Sequence, residues 1–251
     1  MEAYRHPEYY EIAFAVDDAA REVDFFEAAI RQFSQIPVHR VLEVACGTAP
    51  YLEEWQRRGY RYCGLDLSPA MLDRARAKAD RLGIAADFAL ADMRDFDASS
   101  IGPIDLAYVL LGSIYVGSNR EFLAHLDRVA GSLAPGGLYL LDSVVWFEIW
   151  SDYRRRWTRS RGGVSVRMTY RAEPIDPVAQ TYNEFITLDV DDHGTLHRIE
   201  SRVPTKMFFP QEFLCLVQLS GRFEFVGWFN DFSLAAPVTP KGRHIAILRR
   251  L

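Results

Sequence analysis

The chain of 251 residues has 49% hydrophobic composition and a formal net charge of −5, from 29 Lys and Arg against 34 Asp and Glu. A chain of this length and composition can bury a sizeable core, which excludes disorder over most of its length. The acidic balance lacks the basic excess with which nucleic-acid-binding proteins displace counterions from phosphates, so a nucleic-acid partner is disfavoured.

Targeting and redox signals are weak. The N-terminal stretch MEAYRHPEYYEIAF lacks a basic segment followed by an apolar run, so it does not resemble a secretory signal. The most apolar stretch, GLYLLDSVVWFEIW, is interrupted by Asp142 and Glu148 and falls short of the roughly 20 apolar residues of a membrane span. Three scattered cysteines, Cys46, Cys63 and Cys215, argue against a disulfide framework or a metal site. The sequence therefore predicts a cytoplasmic protein with no membrane partner.

The elements follow a regular order along the chain. Residues 1–36 are predicted to form an N-terminal helical cap. After Val38, short apolar runs and amphipathic helices give the order β-α-β-α-β-β-α-β, from RVLEVA to LYLLDSVV. The strands are nearly continuous apolar runs, which is typical of a parallel sheet covered on both faces by helices. The pattern predicts a doubly wound α/β sheet.

The pattern changes at about residue 148. The stretches VSVRMTYRA, AQTYNEFITLDVDD and TLHRIESRVPTKMFF alternate apolar and polar residues, which favours an antiparallel meander. A helix, PQEFLCLVQLSG, and two strands, FEFVGWFND and RHIAILRRL, follow. The sequence thus predicts an α/β domain of residues 37–147 and 207–251, with an antiparallel β insertion over residues 148–206 that roofs the active site.

Three acidic residues stand where the first three strands end. In doubly wound folds, ligands bind at these carboxyl ends. Glu43 lies just before the turn ACGTAP, Asp66 closes the second strand 19 residues after Gly47, and Asp92 follows the third. A carboxylate at the position of Asp66 suits the two hydroxyls of a ribose. The alternative is that Asp66 only caps the helix beside Ser68.

The turn itself limits the ligand. It lacks the third glycine of a dinucleotide fingerprint and has Pro50 where a helix would present free N–H groups to a pyrophosphate. A ligand with an adenosine and a compact amino-acid tail requires only a close backbone approach at Gly47, which Ala45 and Ala49 still permit.

Four ordered motifs, LEVACGTAP, GLDLSPAML, ADMRDFD and LAPGGLYLLD, resemble those of class I S-adenosylmethionine-dependent methyltransferases. The resemblance covers nearly the whole chain and implies a mostly parallel, seven-stranded Rossmann-like sheet, with S-adenosyl-L-methionine as cofactor. The chain departs from the family at Ala49, where glycine is usual. By position, the resemblance implies that three residues contact or shape the site of the cofactor's methionine portion: Glu43, Ala45 and Gly47. Asp66 would bind the ribose hydroxyls, and Leu67, Asp92 and Met93 would enclose the adenine.

Within this family the chain is most similar to amino-sugar N,N-dimethyltransferases and glycine N-methyltransferases. The similarity rests on the tyrosine-bearing segment HPEYYEIAF, on GSIYV after the fourth strand and on the insertion after the fifth strand. It implies methyl transfer to a small-molecule acceptor, above all to an amine nitrogen. A homodimer is a further expectation. Three alternatives stay open: an O-methyltransferase, an RNA-directed methyltransferase, and a non-catalytic S-adenosylmethionine-binding subunit.

Positioning supplies most of the rate of such a transfer, with a weak base nearby. Tyr10 and Tyr115 are the predicted catalytic tyrosines, with Trp146 and Glu148 as further pocket residues; the alternative is that these side chains belong to the core or the surface. Among the histidines, His197 on an insertion strand is the predicted base, whereas His125 is expected to be solvated on its helix.

The run YRRRWTRSR places several arginines beside the predicted roof. Most such runs are solvated surfaces. If the acceptor carries phosphates, these arginines would bind them through charge-assisted contacts. A phosphate-bearing acceptor is therefore one expectation, and its cations would be Arg154, Arg155, Arg156, Arg159 and Arg161.

Overall fold

The computed structural model describes residues 1–148 and 153–251. Apart from a single 3-10 turn at Glu2–Arg5, its helices are α1 Pro7–Ala13, α2 Ala19–Phe33, α3 Leu52–Arg57, α4 Pro69–Leu82, α5 Ala98–Ile101, α6 Asn119–Ser132 and α7 Pro210–Ser220. Its strands are β1 Arg40–Val44, β2 Arg61–Asp66, β3 Asp87–Leu90, β4 Ile104–Val109, β5 Leu133–Asp142, β6 Tyr153–Arg161, β7 Val164–Asp176, β8 Thr181–Asp192, β9 Thr195–Lys206, β10 Phe223–Asn230 and β11 His244–Arg250. None of the helices in these two ranges combines the length and apolar character that a membrane crossing requires.

The larger sheet has seven strands in the order β10-β11-β5-β4-β1-β2-β3. β1 to β5 pair in parallel, and β11 pairs antiparallel with both β5 and β10. The strand order reverses between β1 and β4, so the chain leaves these two neighbouring strands in opposite lateral directions. A crevice forms at this switch point, which is where doubly wound sheets bind ligands. The predicted fold class is confirmed.

Helices cover both faces of this sheet. Trp55 of α3 and Leu72 of α4 are fully buried in one core cluster, and Phe122 of α6 and Phe213 of α7 are fully buried in the other. Helix α4 shows how local sequence sets the ends: the Ser68 hydroxyl accepts from the Met71 N–H at 3.4 Å, and the left-handed Gly83 ends the helix.

The insertion is a four-stranded antiparallel sheet in the order β6-β7-β8-β9. Alternate residues of β7 and β8, including Met168 and Leu188, pack against Ala3, Ile12 and Ala13 of the N-terminal segment. The N-terminal segment therefore lies between the insertion and the larger sheet. The predicted antiparallel insertion after β5 is confirmed in kind; residues 149–152, at its predicted start, lie outside the described residues.

One short element was not expected from the sequence. Helix α5, Ala98–Ile101, lies between β3 and β4 and is too short to show an apolar periodicity. It packs near α6. The strand order is unaffected, because the connection still crosses between parallel strands.

Candidate functional site

A cavity of about 670 Å³ lies at the switch point of the larger sheet. Glu43, Gly47 and Leu111 contribute to its floor at the ends of β1 and β4, and Tyr10 and Phe14 of the N-terminal segment contribute to its roof. This volume is within the usual range for small-molecule sites, about 300–1,000 Å³.

The turn after β1 has an unusual backbone. Ala45, Gly47 and Ala49 have φ angles of 56°, 53° and 52°, all in the left-handed region. A Cβ built on Gly47 would meet nothing within 4 Å, so this glycine opens directly onto free space. The two alanines each adopt a conformation that costs an L-residue about 1–2 kcal/mol. The turn keeps its shape despite the missing glycine at position 49.

Asp66 fastens this turn to the end of β2. Its Oδ2 accepts from the Gly47 N–H and its Oδ1 from the Ser68 N–H, both at 2.8 Å. Burial raises the pKa of Asp66, and these backbone hydrogen bonds act in the opposite direction. Each oxygen retains a lone pair, so the cap and the ribose contact predicted from the sequence are compatible. Leu67 follows with 65% of its surface exposed, as an open apolar wall beside the carboxylate.

The loop after β3 is held by a polar pair and a buried histidine. The Arg94 guanidinium binds Asp92, at 2.6 Å for the shortest contact, and lowers the pKa of that carboxyl. His125 is fully buried, so its expected solvation is wrong: its Nδ1 lies 3.0 Å from the Met93 carbonyl and its Nε2 lies 2.6 Å from the Tyr139 hydroxyl. Burial lowers the pKa of His125 to about 4. The neutral imidazole thus positions the backbone at Met93.

Glu43 is a buried carboxyl on the floor of the cavity. Only 4% of its surface is exposed, and its Oε2 accepts from the hydroxyls of Tyr62 and Tyr108. Burial raises the pKa of Glu43 to about 8, so the protein interior favours its neutral form at neutral pH. A cationic ligand nearby would favour the charged form.

A chain of tyrosines links the N-terminal segment to the insertion. The Tyr115 hydroxyl donates to Glu184 at 2.8 Å, and the Tyr170 hydroxyl donates to the other oxygen of Glu184 at 3.1 Å. Tyr4 lies 2.8 Å from Tyr115, and it must donate in that contact because Tyr115 has one proton. The rings of Tyr4 and Tyr10 meet edge to face at 5.3 Å.

The structure thus brings Tyr10 and Tyr115, both predicted from the sequence, into one cluster. The sequence analysis did not identify Tyr4, which lies on the turn before α1. Glu184 is 5% exposed, and burial raises the pKa of this carboxyl. The segments that meet at this cluster are far apart along the chain, so no local pattern could reveal the contact.

A second cavity, of about 550 Å³, lies between the ends of β4 and β5 and the insertion. It shares Phe14 and Leu111 with the first cavity, so the two spaces adjoin. Aromatic rings dominate its wall, and the predicted pocket residue Glu148 is there too. The lining aromatic residues include Trp146, Tyr153, Trp157, Tyr170 and Tyr182.

The structure does not bring His197 to either cavity. Its side chain is exposed and stacks on Tyr9 with ring centroids 6.0 Å apart. Of the described histidines, only His244 lines either of these two cavities, and it lies in the wall of the second one. Its Nε2 lies 2.6 Å from the Thr239 carbonyl and must donate to it, which leaves Nδ1 as the basic nitrogen. No group of three or more His, Cys, Asp and Glu in the described ranges is arranged to hold a metal ion.

A doubly wound sheet with a glycine turn and a carboxylate at the end of its second strand defines a protein that binds a nucleoside-containing ligand. Residues 41–137 match the methyltransferase domain family. The chain is 32% identical over 108 residues to dTDP-4-amino-2,3,4,6-tetradeoxy-D-glucose N,N-dimethyltransferase of Saccharopolyspora spinosa, with 43% of this chain and 41% of the relative covered. It is 29% identical over 127 residues to malonyl-[acyl-carrier protein] O-methyltransferase of Serratia marcescens, with 51% and 47% covered.

The chain spans about half the length of the curated relatives it matches. A solved structure covers it almost completely: S-adenosylmethionine-bound CalS10, an amino pentose methyltransferase of Micromonospora echinaspora, has a TM-score of 0.71 at 24% identity, with 96% of this chain and 94% of that chain covered. At this identity the likeness shows the fold. Residues 41–137 thus match a methyltransferase domain, and the chain as a whole has the fold of the S-adenosylmethionine-bound CalS10 structure.

Proposed function

We propose that the protein binds S-adenosylmethionine as its cofactor and transfers the cofactor's methyl group to an amine nitrogen of a small, phosphate-bearing molecule. The observation that carries this proposal is the second cavity, which adjoins the first and combines aromatic rings with arginines. We assign the first cavity to the cofactor and the second to the acceptor.

The first cavity fits the methionine end of the cofactor, because Glu43, Ala45 and Gly47 line it. Its lining does not include the residues predicted to hold the ribose and the adenine, which follow at the ends of β2 and β3: Asp66, Leu67, Asp92 and Met93. When bound, the cofactor supplies a methyl group that a sulfonium centre activates for in-line displacement. Gly47 gives the open backbone approach, and Asp66 offers two oriented oxygens for a ribose. Leu67, Asp92 and Met93 would enclose the adenine, as the family positions imply. The role of this part of the chain is to bind and orient.

The aromatic wall of the second cavity suits a nitrogen that becomes positively charged. Methyl transfer to an amine leaves an ammonium, and aromatic faces such as those of Trp146 and Tyr182 stabilise cations. Because Tyr170 donates its proton to Glu184, its oxygen can only accept from a ligand. An N–H group matches that polarity. We assign His244, in place of His197, as the residue that takes the proton released after transfer.

The charged residues of the second cavity favour an anionic acceptor. Arg154, Arg155 and Lys241 line it, with Glu148 as the opposing acid. The Arg155 Nε donates to the Tyr153 hydroxyl at 2.8 Å, which orients the guanidinium beside the cavity. Arginine forks bind phosphates through paired contacts. The dTDP-linked amino sugar named for the Saccharopolyspora relative has both the amine and the phosphates that this chemistry would recognise.

The remaining arginines of the run have other partners. Arg159 forms an ion pair with Asp17, and Arg161 pairs with Glu11 at 3.3 Å. Both contacts join the insertion to the N-terminal segment. We therefore propose that Arg154 and Arg155 serve the acceptor cavity, whereas Arg159 and Arg161 hold the insertion against the N-terminal segment.

Steady-state kinetics with a dTDP-linked amino sugar test the proposal. Arg154→Gln and Arg155→Gln should each raise KM by about 10-fold, because a charge-assisted hydrogen bond contributes about 1.5–3 kcal/mol. Arg156→Gln is the matched control, since Arg156 lies on the same strand, does not line the cavity and bonds Thr169. Equal KM values for all four proteins would contradict the phosphate assignment. No methylation of any amine by folded, cofactor-binding protein would contradict the proposed activity.

O-methyl transfer is the second candidate function. The Serratia relative is named an O-methyltransferase, and His244 provides a base that a hydroxyl acceptor would need. The two candidates differ in how far they need a base: a His244→Gln variant should lose most activity on a hydroxyl, but only a modest part on an amine that binds unprotonated. The domain division, a homodimer and a cytoplasmic location stay predictions.

A further inference from the structure

Lys78 is a cation on the wall of the first cavity, which we assign to the cofactor. It lies on α4 and is half-buried, and the cavity is lined by its side chain together with Gly47. No carboxylate of residues 1–148 and 153–251 lies within 4.0 Å of its ammonium. Burial lowers the pKa of Lys78, and the more distant Glu11 and Glu53 offset this only in part. A bound anion beside Lys78 would therefore stabilise the charged form of its partly buried ammonium.

The hydrogen bonds of Lys78 place its ammonium at the glycine turn. Its Nζ donates to the carbonyls of Thr48 and Ala49 at 2.8 and 3.2 Å. An ammonium has three protons, so one stays available. Long side chains on a helix point back towards the helix N-terminus, and α4 begins directly after the ligand-facing Asp66. The side chain of Lys78 therefore points towards the edge of the sheet where ligands bind.

The other cationic side chains that line this cavity either form ion pairs or lie further from the glycine turn along α4. Arg74 and Arg161 both bind Oε2 of Glu11, at 2.9 and 3.3 Å, and so tie α1 to α4 and to β6. Arg81 lies further along α4 and is exposed. Lys78 thus combines partial burial, a free proton and contact with the turn.

We propose that Lys78 binds the carboxylate at the amino-acid end of the cofactor. The carboxylate is the only anionic group of S-adenosylmethionine, and the glycine turn is where the family positions its methionine portion. The ammonium would hold the turn through its two carbonyls and the cofactor through its third proton. This inference rests on the proposed cofactor and is independent of the proposed acceptor: wild-type protein that binds no S-adenosylhomocysteine would contradict the cofactor itself.

Calorimetry with two ligands tests it without turnover. S-adenosylhomocysteine has the carboxylate, whereas 5′-methylthioadenosine lacks the whole amino-acid end. Lys78→Met should weaken the binding of S-adenosylhomocysteine by about 10-fold or more and change the affinity for 5′-methylthioadenosine by less than about 2-fold. Arg81→Met, on the same helix and the same cavity, should change neither. Equal losses for both ligands would show that Lys78 only shapes the turn, and a selective loss in Arg81→Met would transfer the role to Arg81; either result overturns the proposal.

A measurement on the wild-type protein covers the case in which Lys78→Met does not fold. The α-carboxamide of S-adenosylhomocysteine keeps the shape of the ligand and removes its negative charge. The wild-type protein should bind it about 10-fold more weakly than S-adenosylhomocysteine, and a folded Lys78→Met protein should bind the two equally. Wild-type protein that does not distinguish acid from amide overturns the proposal.

Discussion

Asp66→Ala removes a carboxylate that serves the fold and the ligand at once. In the protein alone, the Gly47 and Ser68 N–H groups lose acceptors at 2.8 Å. Water can reach both groups, and the carboxylate also loses its own desolvation cost, so the net loss should be about 1–2 kcal/mol. For a chain of this size, that corresponds to a fall in Tm of about 2–8 °C.

The effect on cofactor binding should be larger. Two ribose hydroxyls would lose a charged acceptor, which costs about 1.5–3 kcal/mol, or about 10- to 150-fold in affinity. Calorimetry with S-adenosylhomocysteine measures this loss, and thermal unfolding of the ligand-free protein measures the first effect. Ser68→Ala is the control, because it removes the α4 cap at Met71 and keeps the carboxylate. If Asp66→Ala lowers Tm as expected but binds the ligand unchanged, Asp66 is only a cap and the ribose assignment is wrong.

Three further changes test other parts of the site. In the folded wild type the pKa of Glu43 is raised from 4.5 to about 8, so the free energy of unfolding of the wild type should fall between pH 5 and pH 8. Glu43→Gln has no such carboxyl and should lose less stability over the same interval. Urea unfolding of both proteins at both pH values checks this, and an equal change in the two proteins would refute it. Ala49→Gly should leave the free energy of unfolding almost unchanged. Glycine relieves the left-handed strain at this position, about 1–2 kcal/mol, but the protein loses a buried methyl group and the unfolded chain gains entropy. Ala79→Gly inside α4 is the control and should lower the free energy of unfolding by at least about 1 kcal/mol. Glu184→Gln leaves a single acceptor oxygen for the Tyr115 and Tyr170 hydroxyls, and Tyr170 lines the second cavity, so KM for the amine should rise about 10-fold with unchanged affinity for S-adenosylhomocysteine. An unchanged KM would show that Glu184 does not orient Tyr170 for the acceptor.

Most of the larger sheet could be predicted because each of its strands is a continuous apolar run followed by a recognisable turn or helix. The strand order then follows from the doubly wound rule, and the insertion from a change of period from 3.6 to 2. The short helix α5 was not predicted, since four residues carry no period.

The two halves of the site differ in how far the sequence reveals them. The predicted cofactor residues lie in contiguous motifs at strand ends, so the positions of Gly47 and Asp66 in the fold could be predicted from local pattern alone. The second cavity is assembled from segments that no local signal connects, since Phe14, Trp146 and Tyr182 all line it, and the same holds for the neighbouring hydrogen-bonded cluster of Tyr4, Tyr115 and Glu184. His125 was misplaced for the same reason: its two partners, on β5 and after β3, become visible only when the chain is folded.

The position of the transferred methyl group tests the central claim most directly. The protein would be incubated with S-adenosylmethionine labelled with carbon-13 at the methyl group and with a dTDP-linked amino sugar, and the product would be examined by NMR. Methyl transfer to the amine predicts a labelled methyl resonance coupled to the protons beside the nitrogen, with S-adenosylhomocysteine formed in equal amount. A labelled methyl on a hydroxyl, or bound cofactor with no labelled product from this or any other amine, would contradict the account.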